Sequence, residues 1–179
     1  DSLAGLFAAG LAPSGTKDPF GLRRAAIGVV QPLIEHGIDF NLRLALKFAA
    51  ALEPVPVTDE VQAQVLEFIT GRLRVVLTDM GYKYDVVDAV LAVQSDNPAG
   101  AARAVRQLTA WVARADWGTL LPGYARCVRI LRSAPAAGDR AMNVNESLLV
   151  EPAERGLHDA LQSSAVHHPT SVDEFLTTV

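Results

Sequence analysis

The sequence predicts an all-α protein, a helical bundle in two packed parts. Three observations predict it. Apolar residues recur at helical spacing in nearly every segment, no segment sustains the apolar–polar alternation of a strand, and half of the 179 residues are hydrophobic, enough for a substantial core. Helices are expected near residues 2–10, 18–36, 41–52, 58–80, 84–94, 98–114, 117–133, 146–163 and 171–178.

Each element has local reasons. The chain opens on Ser2-Leu3-Ala4-Gly5-Leu6-Phe7, already helical in pattern and without an initiator methionine, and so reads as a piece of a longer chain. Asp18 is a good N-cap acceptor and Pro19 suits the first helical position, where its missing N–H has no partner to lose. Leu22, Ala26, Val29, Val30 and Leu33 then form one apolar face with Arg23 and Arg24 at its edge, and Gly37 closes the helix. Pro54 and Pro56 force an extended link, after which Thr58 caps the longest helix. The core of that helix is expected to be Val61, Val65, Phe68, Ile69, Leu73, Val76 and Leu77. Asp96-Asn97-Pro98 and Ala134-Pro135-Ala136-Ala137-Gly138 read as turns that bound later helices. The two parts are placed at residues 1–94 and 95–179.

The net charge of −4 argues against a generic nucleic-acid binder, whose long-range field is basic. The distribution is uneven. From Ser95 to Arg140 there are seven arginines against three aspartates, and no lysine or glutamate falls between Ser95 and Pro135. Arginine bonds phosphate bidentately and stacks on unpaired bases, so the excess suits an RNA footprint; it equally suits a solvated face, and charge alone does not choose. The lone Cys127 cannot form an internal disulfide and, beside Val128 and Leu131, reads as a small buried hydrophobe. With no apolar run long enough to cross a bilayer, a soluble, cytoplasmic protein is expected.

Reactive constellations are thin. His36 at a helix end and His158 on a helix read as structural, and His167-His168 as part of a linker. Asp85/Asp88 and Glu151/Glu154 sit in first turns, where carboxylates complement the helix dipole. Trp111 and Trp117 flank Arg114-Ala115-Asp116 and, like Tyr124, are weighed between core packing and stacking on bases. No catalytic residue, no metal ligand set and no cofactor site of the chain's own is expected.

Four ordered motifs point further. The segment Gly15-Thr16-Lys17-Asp18-Pro19-Phe20-Gly21-Leu22-Arg23-Arg24-Ala25-Ala26 resembles the Gly-Ser-x-Asp-Pro-Phe-x-Leu-Arg-Arg-x-Ala signature of the β subunit of bacterial glycyl-tRNA synthetase, with Thr16 for Ser and Gly21 where Ala is usual. Leu66 to Arg74, Met80-Gly81-Tyr82 and Tyr84 to Ala92 resemble the family's long helix, glycine break and Asp-Val-x-Asp-Ala-Val-Leu-Ala segment. Tyr124 to Leu131 resembles Asn-Lys-Arg-Val-x-Asn-Ile-Leu, and Glu151 to Leu157 resembles the Glu-Pro-Ala-Glu-x-Ala-Leu helix of the C-terminal anticodon-binding domain. The chain departs from the family after Ser163, where it is shorter, and Ala125 stands where lysine is common.

The resemblance implies a helical region following an HD-like domain at residues 1–94, and part of an anticodon-binding helical domain at 95–179. It implies a non-catalytic, tRNA-holding part of an ATP-dependent glycine–tRNA ligase, with ATP and Mg on the catalytic α part. The implied partners are glycine tRNA and that α part, separate or fused. The residues expected to contact RNA are Arg126, Arg129 and Arg132, then Arg103 and Arg106, with Arg23 and Arg24 structural or interdomain. The competing expectation is a helical interaction scaffold that touches no RNA.

Overall fold

The computed structural model of the chain describes residues 2–133, 144–164 and 172. Among these residues there are eight α-helices, one 3-10 turn and no strand, as expected of an all-α chain. They fall into two compact units, Asp1–Thr109 and Ala110–Val179. The expected helix at 171–178, the link at 134–138, Arg140 and His167-His168 lie outside the described residues.

The first unit is organised around its longest helix. Helix α4 (Asp59–Asp79) is packed by α1 (Ser2–Ala8), α2 (Leu22–Glu35), α3 (Leu42–Leu52) and α5 (Tyr84–Leu91). Having neighbours on several sides widens its apolar stripe. Val65, Leu66, Ile69, Leu73 and Leu77 are buried, so Leu66 joins the core, while Val61, Phe68 and Val76 are only half-buried. Phe68 reaches Phe7 of α1 with ring centroids 5.2 Å apart, and the Arg72 guanidinium lies 5.8 Å from the Phe68 centroid on the same helix.

The start of α2 differs from the sequence expectation. The helix begins at Leu22 because Gly21, at φ 66°, turns the chain left-handed. Asp18 still caps it, from further upstream: its two carboxylate oxygens accept from the Leu22 and Arg23 amides at 2.8 and 2.9 Å. The left-handed turn is what aims both amides at one carboxylate, and it is the reason glycine stands there. At the far end Gly37 (φ 64°) gives its N–H to the Ile34 carbonyl while Ile38 reaches back to Leu33, a Schellman closure. Gly81 closes α4 in the same way, its N–H bonded to Thr78 and that of Tyr82 to Leu77.

Thr58 caps α4 as expected, its hydroxyl accepting from the Val61 amide at 3.4 Å. Helix α3 stops at Glu53, which is extended because Pro54 follows. Helix α6 (Pro98–Val112) begins at Asn97, whose side chain accepts from Gly100, and buries a face of small residues, Ala99, Ala101, Ala102, Ala104 and Val105.

The second unit holds α7 (Trp117–Ser133) and α8 (Pro152–Ser164). The helix expected over 146–163 is two elements, a 3-10 turn at Glu146–Leu148 and then α8, because Pro152 disfavours a helical residue before it. Glu154 accepts from the Val150 and Glu151 amides at 3.1 Å, half of a capping box, so this acidic pair works on the helix end.

Candidate nucleic-acid interface

Helix α7 carries Arg126, Arg129 and Arg132 at steps of three, so neighbouring pairs share a face, and Trp117–Ser133 contains no acidic residue. All three side chains are exposed, and among the described residues none makes an ion pair. The result is a ridge of uncompensated positive charge held on a regular element. Tyr124, two residues before Arg126, is 44% exposed. Cys127, expected to be buried, is instead exposed, next to Arg126 on a helix whose apolar residues Leu120 and Val128 are themselves only half-buried.

Two other arginines of the basic run, Arg103 and Arg114, are engaged. Arg103 of α6 donates to Asp39 at 2.6 Å, and Asn97 donates to the same oxygen at 2.7 Å. Those two hydrogen bonds, Asn97 first, hold the Asp39 carboxyl below its ordinary 3.8. Asn41 and Asp96 add a second tie at 3.3 Å, and the Leu42 amide bonds the Asp96 carbonyl at 2.8 Å, so the start of α3 and the start of α6 are laced together. Arg103 is therefore a fastener of the first unit. Arg106, one turn on, is exposed and without an ion pair among the described residues. Arg103 and Arg106 belong to the first unit, whereas the α7 arginines belong to the second.

Arg114 grips Asp116 with two bonds, Nε at 2.9 Å and a terminal nitrogen at 2.6 Å, while its guanidinium lies 4.2 Å from the Trp111 ring centroid. The hydrogen bonds between them lower the Asp116 pKa and raise that of Arg114. Trp111 is only 6% exposed, which places it in a core and not on a base-stacking platform; Trp117 is half-buried. No local pattern announces the Asp39 tie, whose partners stand 58 and 64 residues away.

The remaining motif residues are also explained locally. Arg23 donates to the Gly15 carbonyl at 2.5 Å and the Lys17 carbonyl at 3.5 Å, fastening the loop that carries Asp18. Asp88 of α5 pairs with Arg74 of α4 at 2.6 Å. His158 lies 3.9 Å from Asp159, and no group of three metal-ligating side chains occurs among the described residues. No helix among them is long and apolar enough to cross a membrane.

The scaffold is thus an all-helical module whose motif residues cap and lace helices, with one arginine ridge left over. The family model described as glycyl-tRNA synthetase beta subunit matches residues 1–92. Over 177 residues, 98% of the chain, it is 35% identical to glycine–tRNA ligase, chloroplastic/mitochondrial 2, of Arabidopsis thaliana. It is 36% identical over 162 residues to the glycine–tRNA ligase beta subunit of Desulforapulum autotrophicum and 38% over 165 to that of Ectopseudomonas mendocina, covering 89% and 92% of the chain. The chain belongs to the glycyl-tRNA synthetase β-subunit family. It spans 16% of the Arabidopsis protein and 23% and 24% of the two bacterial subunits.

Proposed function

We propose that this chain is a tRNA-holding, non-catalytic part of a glycine–tRNA ligase, working in the cytoplasm beside a catalytic α part that carries ATP and Mg. The observation that supports it most is the α7 ridge: Arg126, Arg129 and Arg132 are exposed, without an ion pair among the described residues, and set on a helix with no acid. Guanidinium groups so placed bond phosphates to fix register and stack on or edge-bond unpaired anticodon bases to read sequence. Arg106 is a secondary contact, and Arg103 contributes through the fold.

The test is binding to glycine-specific and non-cognate tRNA across a salt series, with Arg126→Ala/Arg129→Ala beside the parent sequence. The expected result is a cognate preference that the double variant loses, together with a salt slope shallower by about 1.4 if both arginines meet phosphate. Arg103→Ala is expected to lower the melting temperature and to leave the salt slope unchanged. Equal binding of both tRNAs, or no binding at low salt, refutes recognition by this ridge.

A further inference from the structure

The least satisfied surface of the first unit is the outer face of α3. Phe40, Leu44, Phe48 and Leu52 recur every fourth residue and are 43, 54, 74 and 78% exposed, flanking a shallow groove completed by Asn41, Ala45 and Ala49. The opposite side of the same helix is sealed, with Leu42 and Leu46 buried against the bundle. Helix α3 is therefore apolar on two sides. That pattern belongs to a helix buried between layers, and a continuous apolar stripe left in water marks a docking surface.

We infer that this stripe seats an amphipathic helix contributed by the remainder of the parent β-subunit polypeptide, one whose apolar side is bordered by carboxylates. Charge selects the occupant. Arg43 and Lys47 stand one turn apart along one border of the stripe, both exposed and without an ion pair among the described residues, and α3 has no acidic residue. A second copy docked through the same face brings Arg43 and Lys47 toward their own counterparts, and like charges oppose that pairing. An acid-bordered helix meets both cations while covering Phe48 and Leu52. The inference rests on the reading of this chain as part of such a subunit, and the related β subunits have ample chain to supply the helix, since these residues correspond to only 23 and 24% of them. Eleven residues of α3 offer about three turns, which fits a single short helix.

The experiment uses the full-length parent chain. Hydroxyl-radical footprinting reads the oxidation rate of Phe48 against an unstructured peptide of the same local sequence, and zero-length carbodiimide cross-linking reads the carboxylate nearest Lys47. The expected result is Phe48 protected by about tenfold or more at every protein concentration, with Lys47 joined to an Asp or Glu outside these 179 residues in the same polypeptide. Phe48 oxidised as fast as the peptide overturns the inference. So does protection lost on dilution, or a Lys47 cross-link to a second copy, to the catalytic part, or to an acid within these residues. Phe48→Asp in the full-length chain supplies an independent reading: a lowered melting transition supports a covered stripe, and an unchanged one refutes it.

Discussion

Replacing Gly21 with alanine separates two accounts of where α2 begins. By residue preference alone the substitution should help, since alanine exceeds glycine in helix propensity and a helix starting at Asp18 would contain position 21. The structure reverses the sign. Gly21 sits at φ 66° and ψ 29°, where a Cβ crowds the backbone at about 1–2 kcal/mol, and nothing lies within 4 Å of that Cβ, so backbone strain is the whole cost. Stiffening the unfolded chain returns about 0.4–1 kcal/mol, leaving a net loss of about 1 kcal/mol. In a unit of this size that lowers the melting temperature by about 4 °C. Gly28 is the internal control, for it lies inside α2 with an equally open Cβ position and no positive φ. Gly28→Ala should stabilise by about 0.4–1 kcal/mol. Paired thermal and urea melts of the two variants check the reasoning. A Gly21→Ala that stabilises as Gly28→Ala does would show that the chain there runs right-handed and that the amides of Leu22 and Arg23 do not depend on the Asp18 carboxylate.

Leu73→Ala, at a fully buried position in the middle of α4, should cost about 2–5 kcal/mol in a urea melt, and a loss under 1 kcal/mol would mean that α4 is not the packing axis. Asp18, Asp39 and Asp116 all have pKa values lowered by hydrogen bonds made in the folded state. Their contribution is therefore complete above the ordinary aspartate value of 3.8 and is lost as pH falls through the lowered folded values. Melts from pH 6 downward should stay level to about pH 4 and then drop, and a level profile to pH 2 would contradict these contacts. Native Cys127 should react with one equivalent of Ellman's reagent without denaturant; a thiol that appears only on unfolding would restore the buried reading.

Fold class, family and most helix positions were legible in the order of residues alone, because these rest on information carried within a few turns of chain. Periodicity placed α3 to α7 closely, Gly37 and Thr58 announced their caps, and the ordered motifs marked the β-subunit family. Tertiary structure decided what depends on who else is near. Arg103 looked like Arg126 in a basic run, yet Asp39, 64 residues away, makes it a fastener, while the α7 arginines meet no acid among the described residues. Likewise α3 showed only a helical period in sequence. Its packing against α4 shows which apolar side is spent, on Leu42 and Leu46, and which is left open at Phe48 and Leu52. Local propensity fixes an element from its own residues, whereas the worth of a charge or an apolar face is set by neighbours that only the folded chain brings within reach.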